Sequence, residues 1–235
     1  VLLEASPCVV PLRLEARGRK GRSQNNESGI VEALLSVLPV RRRYFVEFGI
    51  GPADPTYATG LEGNCVDLAA CGWHGLFMDG GIHPPIYEVK QEFITADNIN
   101  DLLAKYGVPE DFCLISIDID GQDYWVWKAL AYKPEIVVIE MNSNFGPREC
   151  LTVPRDNDFR WDRTKYYGAS LLALDHLGRS KGYQLVYANG VNAFFVRKEL
   201  MQNADEFRFE DLFIQWDIHA PDPKARAYVD VSGET

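Results

Sequence analysis

Basic residues, long apolar runs and paired metal ligands are all scarce in this sequence, and each shortage excludes something. Twenty-four lysines and arginines face thirty-four aspartates and glutamates, for a net charge of −10. A body that acidic repels a phosphate backbone, so nucleic acid is not an expected partner. No apolar run approaches the ~18 residues that a membrane-spanning helix needs, and no span is expected. The five cysteines (Cys8, Cys65, Cys71, Cys113, Cys150) form no CxxC pair, and His74, His83, His176 and His219 show no ligand spacing. A zinc site is therefore not expected. The odd, scattered thiols point to a reducing compartment, cytoplasmic or organellar matrix. The first residue is Val rather than Met, which leaves room for a removed targeting segment.

What is present suits one large domain. The chain has 235 residues, 46% of them hydrophobic, enough to bury a full core. Charge is unevenly spread: residues 1–43 hold eight Lys/Arg against four Asp/Glu, and the remainder sixteen against thirty. The basic run Arg13, Arg17, Arg19, Lys20, Arg22 reads as a solvated tail, with a docking arm as the sharper alternative. We expect an extension with one short helix over 1–43 and a main domain over 44–200. A tail over 201–235 follows, packed back by Phe207, Phe209, Phe213 and Trp216.

Periodicity predicts a first helix capped by Ser28, with Ile30, Val31, Leu34, Leu35 and Leu38 on one face. Strands follow at 44–50, 73–78, 92–96, 112–119 and 135–141, separated by helices at 63–71 and 98–106 and by one that opens from the Asp120-Gly121 turn, carries Tyr124, Trp125, Val126, Trp127 and Leu130, and ends at Pro134. The run 112–119 is almost continuously apolar, the mark of a strand buried on both faces. A long Pro-, Asn- and Arg-rich loop covers 142–165, long enough to expect a lid or binding loop. A helix then spans 169–181, and a hairpin pairs 183–187 with 192–197. Strand and helix alternate before two closing strands. That order predicts an α/β fold with a mainly parallel central sheet, helices on both faces and an antiparallel strand near the C-terminus.

Open α/β sheets bind ligands outside the carboxyl ends of their strands. Here the first strand ends in Glu47, Gly49 and Gly51, and the second in Asp79. The fourth ends in Asp118 and Asp120, the fifth in Glu140 and Asn142, so four strand ends carry acids along one edge. The glycine turn lets backbone approach a ligand closely. Asp54, however, stands where a dinucleotide site needs its third glycine, and an acid there faces a pyrophosphate. An acidic rim suits the cationic sulfonium and ammonium of S-adenosylmethionine better than NAD. Asp79 is placed to accept ribose hydroxyls. Asp97 either accepts from an adenine amino group or caps the next helix. Asp120 and Asp123 look like a helix N-cap with an acid three residues on. Asp118, set between Ile117 and Ile119, needs a partner, whether cation, metal or substrate. Glu140 and Asn142 extend Asp118 to a possible three-oxygen set for a divalent ion, a reading that ranks below the metal-free one. His83 beside the ribose position reads as structural; Tyr166 and Tyr167 either line a pocket or pack.

The stretches YFVEFGIG, GWHGLFMDG, LISIDIDGQDYWVWKAL, PEIVVIEMNSNF and KGYQLVYANGVNAFFV, over about residues 44–198, resemble the FkbM-type and related small-molecule S-adenosylmethionine-dependent methyltransferases. The resemblance implies a Rossmann-like class I methyltransferase fold. It implies that Glu47, Gly49 and Gly51 face the methionine moiety, that Asp79 holds the ribose, and that Asp97 lies near adenine. Asp118 would lie beside the transferred methyl and serve as the catalytic residue. The expected activity is O-methyl transfer to a small hydroxyl- or carboxyl-bearing molecule. The alternative is a catalytically inactive methyltransferase-like subunit of a larger assembly, joined through the N-terminal extension or the C-terminal tail. Two departures from the family pattern accompany that alternative: the loop with Pro52, Asp54 and Pro55, and the short link holding Pro84 and Pro85.

Overall fold

Every residue of the runs 114–117 and 136–139 is buried, and these runs lie at the centre of a seven-stranded sheet. The computed structural model describes residues 6–19, 21–50, 61–81, 83 and 88–234. Its strands are β1 (Tyr44–Phe48), β2 (His74–Asp79), β3 (Val89–Gln91), β4 (Leu114–Ile117), β5 (Ile136–Glu140), β6 (Leu151–Thr152), β7 (Tyr183–Ala188), β8 (Asn192–Arg197) and β9 (Val229–Asp230). The α-helices are α1 (Glu27–Val37), α2 (Val66–Ala70), α3 (Ile99–Lys105), α4 (Asp123–Ala129), α5 (Leu171–Ser180) and α6 (Phe209–Leu212). The sheet order is β3-β2-β1-β4-β5-β8-β7. Strands β1 to β5 pair in parallel, and β8 runs antiparallel to both β5 and β7. The result is a mixed α/β fold with a mostly parallel sheet, consistent with a Rossmann-like arrangement.

Alternating side chains of each strand feed two cores. Val46, Phe48, Ile115, Ile117, Val137 and Ile139 pack with α3, α4 and α5 on one face. Phe45, Phe77, Leu114, Ile136, Val138 and Phe194 pack with α1 and the start of α2 on the other. Each such large apolar side chain contributes about 1.5–3 kcal/mol of burial. Trp127 of α4 lies against Phe195 and Tyr183, and Gly178 of α5 leaves room for both Trp127 and Phe195. Val10, Leu14 and the buried face of α1 join the second core, so the segments 6–19 and 21–43 pack on the domain.

Several local expectations are corrected. The first helix begins at Glu27, with Ser28 inside it; Ser23 Oγ accepts from the Ser28 N–H. The third strand lies at 89–91 instead of 92–96. Asn98 donates to the Phe93 carbonyl and accepts from the Thr95 N–H, and these bonds hold 93–98 in a turn leading into α3. At α4 the N-cap is Gln122 rather than Asp120, and Asp123 is the first helical residue. Helix α5 begins at Leu171, and its N-cap Ser170, which the sequence reading did not single out, accepts from the Ala173 N–H.

The long loop and the tail fold together. Strand β6 of the loop pairs with β9 of the tail, Lys165 N–H donates to the Ala220 carbonyl, and Trp216 N–H to that of Ser143. Phe207 is buried and Phe209 and Phe213 are partly buried, while Trp216 keeps 45% of its surface exposed with its ring against Gly190. No helix among the described residues is long and apolar enough to cross a membrane.

Candidate functional site

The carboxyl edge of the sheet is built around Gly49. Its φ of +77° is a left-handed conformation, and an added Cβ would overlap the carbonyl oxygen of Asp118 on neighbouring β4. Both facts demand glycine. Gly51, Asp54 and the two proline pairs lie outside the described residues.

Glu47, two residues earlier, points into the same edge and is buried. Its two oxygens accept from the Asn64 and Cys65 N–H groups at 2.6 and 2.9 Å, so it serves as a distant cap for α2. A Cβ at Gly63 would come within 2.9–3.1 Å of this carboxylate, so any larger residue there would have to displace it. Burial pushes the Glu47 carboxyl up to about 7, against the opposing pull of those N–H groups.

A cleft of about 290 Å³ opens over the ends of β1, β2 and β4, walled by Gly49, Asp79, Asp120, Phe93, Arg160 and Trp161. Asp79 stands at the tip of β2, where Gly81 N–H donates to its Oδ1 and His83 Nε2 lies 3.0 Å from the same atom. His83 is thus a neighbour of Asp79. Asp120 has a left-handed φ of 57° and faces the cleft; burial first, then Asp79, raises its carboxyl. The outer wall comes from the long loop, where the Arg160 guanidinium stacks 4.0 Å from the Phe93 ring centre.

Behind Gly49 lies a second, smaller chamber of about 30 Å³, room for a water-sized group. Gly49, Glu27, Glu47, Glu62, Asp118 and Asn192 line it. Asp118 therefore sits on this chamber and not on the cleft wall, which Asp120 occupies.

Asp118 also belongs to a tight group of acids. One carboxylate oxygen from each of Asp118, Asp123 and Glu140 lies within 4.8 Å of the others. Two full charges at that separation repel by about 3.5 kcal/mol at an effective dielectric of about 20. Burial, then the neighbouring carboxylates, raise Asp118 and Glu140 well above the usual range. Burial likewise raises Asp123 to about 7, although it accepts from the Ile119 and Gly121 N–H groups at 2.8 and 2.9 Å. Among the described residues, no ion pair links these three to a basic side chain.

Asn142, expected to join Asp118 and Glu140, is taken elsewhere. Its Nδ2 donates to the Lys165 and Tyr167 carbonyls, and its Oδ1 accepts twice from Asn144. Asp123 stands in its place. Asp97 does not line the cleft and does not cap α3, whose N-cap is Asn98; its exposed carboxylate accepts from Arg155 and Asn157. Tyr166 and Tyr167 are both buried, and the Tyr166 hydroxyl donates to the Ala227 carbonyl.

Sequence reasoning did not single out Phe93, Arg160, Trp161 or Asn192. Only the length of the 142–165 loop signalled that it would border a site. Comparison with family models, curated proteins and solved structures gives no match.

Proposed function

We propose that this chain is an S-adenosylmethionine-dependent methyltransferase acting on a small hydroxyl- or carboxyl-bearing molecule. The observation that carries this reading is the wall shared at Gly49. On one side lies a cleft with Asp79 at the second strand end, and on the other a small chamber lined by four carboxylates. Asp79 and Asp120 on the cleft suit a ligand that carries ribose hydroxyls and cationic sulfonium and ammonium groups, and the carboxylates of the water-sized chamber behind Gly49 add negative potential to that wall. The strand order, with antiparallel β8 set between β5 and β7, suits the class I fold that the sequence resemblance implies.

When bound, the cofactor supplies an electrophilic methyl group on a sulfonium. The chain's own part is binding, orientation and proton handling. Asp79 accepts from ribose hydroxyls, held in place by Gly81 N–H. Gly49 brings bare backbone against the ligand. Asp118, behind Gly49 and off the cleft wall, takes the acceptor's proton by way of a water in the small chamber, a role suited to a carboxyl raised by burial. Phe93, Arg160 and Trp161 close the outer side of the cleft and limit water.

One observation favours the non-catalytic reading: Asp97, the expected adenine contact, is already engaged by Arg155 and Asn157. Titration with S-adenosylhomocysteine separates the two. Binding is expected to raise the melting temperature. Asp79→Ala is expected to weaken binding by about 1.5–3 kcal/mol, the range for hydrogen bonds to a charged group. An unchanged melting temperature together with no heat in calorimetry would overturn the methyl-transfer reading in favour of the non-catalytic one.

A further inference from the structure

We infer that Asp118, Asp123 and Glu140 bind one divalent cation of the oxygen-seeking class: magnesium, manganese or calcium. The three residues come from different elements, the ends of β4 and β5 and the first turn of α4, and converge within 4.8 Å. A cluster of acids alone is ordinary. Two orphaned acceptors set this one apart.

Glu140 Oε2 is shut off from solvent and has no hydrogen-bond partner. Asn192 Oδ1 is equally without one, on a side chain only 5% exposed. Asn192 lies directly opposite Glu140 in the β5–β8 register and lines the small chamber together with Asp118. Its Nδ2 is already given to Glu27, so the atom left over is an oxygen, as at Glu140. Buried acceptors in native proteins find partners. What two orphaned oxygens beside a knot of carboxylates lack is positive charge and the ordered water it brings.

The donor set also selects the ion. Only oxygens converge here, without histidine or cysteine, and such sites favour hard cations over zinc or copper. The backbone bonds to Asp123 do not disqualify it. The bonds from the Ile119 and Gly121 N–H groups, one to each oxygen, anchor the carboxylate, whose two oxygens together offer about four lone-pair sites. The alternative means of relieving the repulsion is a set of shared protons, and metal binding distinguishes the two.

The test uses the full chain, stripped with EDTA and titrated with Mn²⁺ at neutral pH while the paramagnetic resonance signal of free Mn²⁺ is followed. One bound ion per chain is expected, with a rise in melting temperature under Mn²⁺ or Mg²⁺ that EDTA reverses. Glu140→Gln is expected to weaken Mn²⁺ binding about tenfold or more. Glu199→Gln, at an exposed acid outside the cluster, is expected to bind as the parent does. A parent chain that leaves the Mn²⁺ signal at its free value into the millimolar range overturns the proposal. Equal binding by the parent and Glu140→Gln overturns it too. If Glu140→Gln does not fold, Asp118→Asn takes its place. No methyl donor enters the experiment, so its outcome stands apart from the methyl-transfer reading.

Discussion

Asp162 and Asp222, in the loop and tail that fold together, accept hydrogen bonds from Arg226, whereas Asp118, Asp123 and Glu140 at the sheet edge are paired with no basic side chain among the described residues. The consequences run in opposite directions. Thr164 and Arg226 hold Asp162 below the usual carboxylate range, and Arg226 lowers Asp222. Burial and like charge hold the edge acids above it. Charges that a fold needs only for architecture are neutralised by its own side chains. Charges left unneutralised in a buried row store a cost that an external cation or a proton must relieve. The difference identifies the sheet edge as the place where chemistry is expected.

The most severe way to break this comparison is to displace Asp118 itself. Gly49→Ala places a Cβ on the Asp118 carbonyl oxygen in a backbone conformation that alanine resists. A loss of about 4 kcal/mol or more is expected in urea unfolding, since the clash is with backbone and has no side chain to yield. Gly72→Ala is the control: φ is +82°, but nothing lies near the added Cβ. Its cost is about 1 kcal/mol, the left-handed penalty alone. Equal losses at the two sites would show that Gly49 is only a turn residue.

Next in size is the dependence of stability on pH. Glu47 and Asp123 have folded-state values near 7, above the ordinary carboxylate values of an unfolded chain. The folded state therefore binds more protons than the unfolded one. That contribution is complete below about pH 4 and is lost as pH rises toward about 7, on the order of 3 kcal/mol for Glu47. The Arg226-paired acids have the reverse sign: their contribution is present above about pH 4 and lost below it. In EDTA the urea midpoint should thus fall between about pH 5 and about pH 8, and Glu47→Gln should flatten that slope. A midpoint that rises over this window would refute the raised values at the edge. Magnesium sharpens the comparison, because a bound cation should also reduce the slope.

The division between the two sets of acids was only half legible in the sequence. The row itself was readable, because an acid closing each apolar strand at Glu47, Asp79, Asp118 and Glu140 falls on one edge whenever the strands run parallel. The sheet and its antiparallel strand followed from the same alternation. What a linear reading misses is which acids already have partners. Asn142 and Asp97 look as available as Asp118, yet one is consumed by the 165–167 backbone and the other by Arg155 and Asn157. Those partners lie far along the chain, within the long loop, where no periodicity operates. Asp123 was hidden differently. Its spacing after Asp120 fits a capping pattern, and it does bind backbone N–H groups while also facing Asp118 and Glu140. Asn192 gave no signal, because its importance comes from standing opposite Glu140 across the β5–β8 pair.

The smallest expected effect belongs to the neutralised side of the comparison. Arg226 reaches Asp222 through Nε and Nη2, reaches Asp162 through Nη2, and stacks 4.1 Å from the Tyr166 ring centre. Arg226→Lys keeps the charge but loses the fork and the stacking plane, so the substitution is not conservative in geometry. The cluster is nonetheless still in contact with water, its Arg226, Asp162 and Asp222 side chains being 25, 31 and 10% exposed, and ion pairs that water reaches contribute little net stability. The β6–β9 pairing, the Lys165–Ala220 bond and the Tyr228 hydroxyl bond to the Lys165 carbonyl all hold the tail without it. The melting temperature should therefore fall by a few degrees at most. The difference from the parent should shrink in high salt, where exposed charges are screened. The pH slope above about pH 5 should be unchanged, because it arises from the edge acids and not from this pair. A drop as large as that of Gly49→Ala, or a change in that slope, would mean that Arg226 supports the sheet edge as well as the tail, and the two sets of acids would then have to be treated as one coupled system.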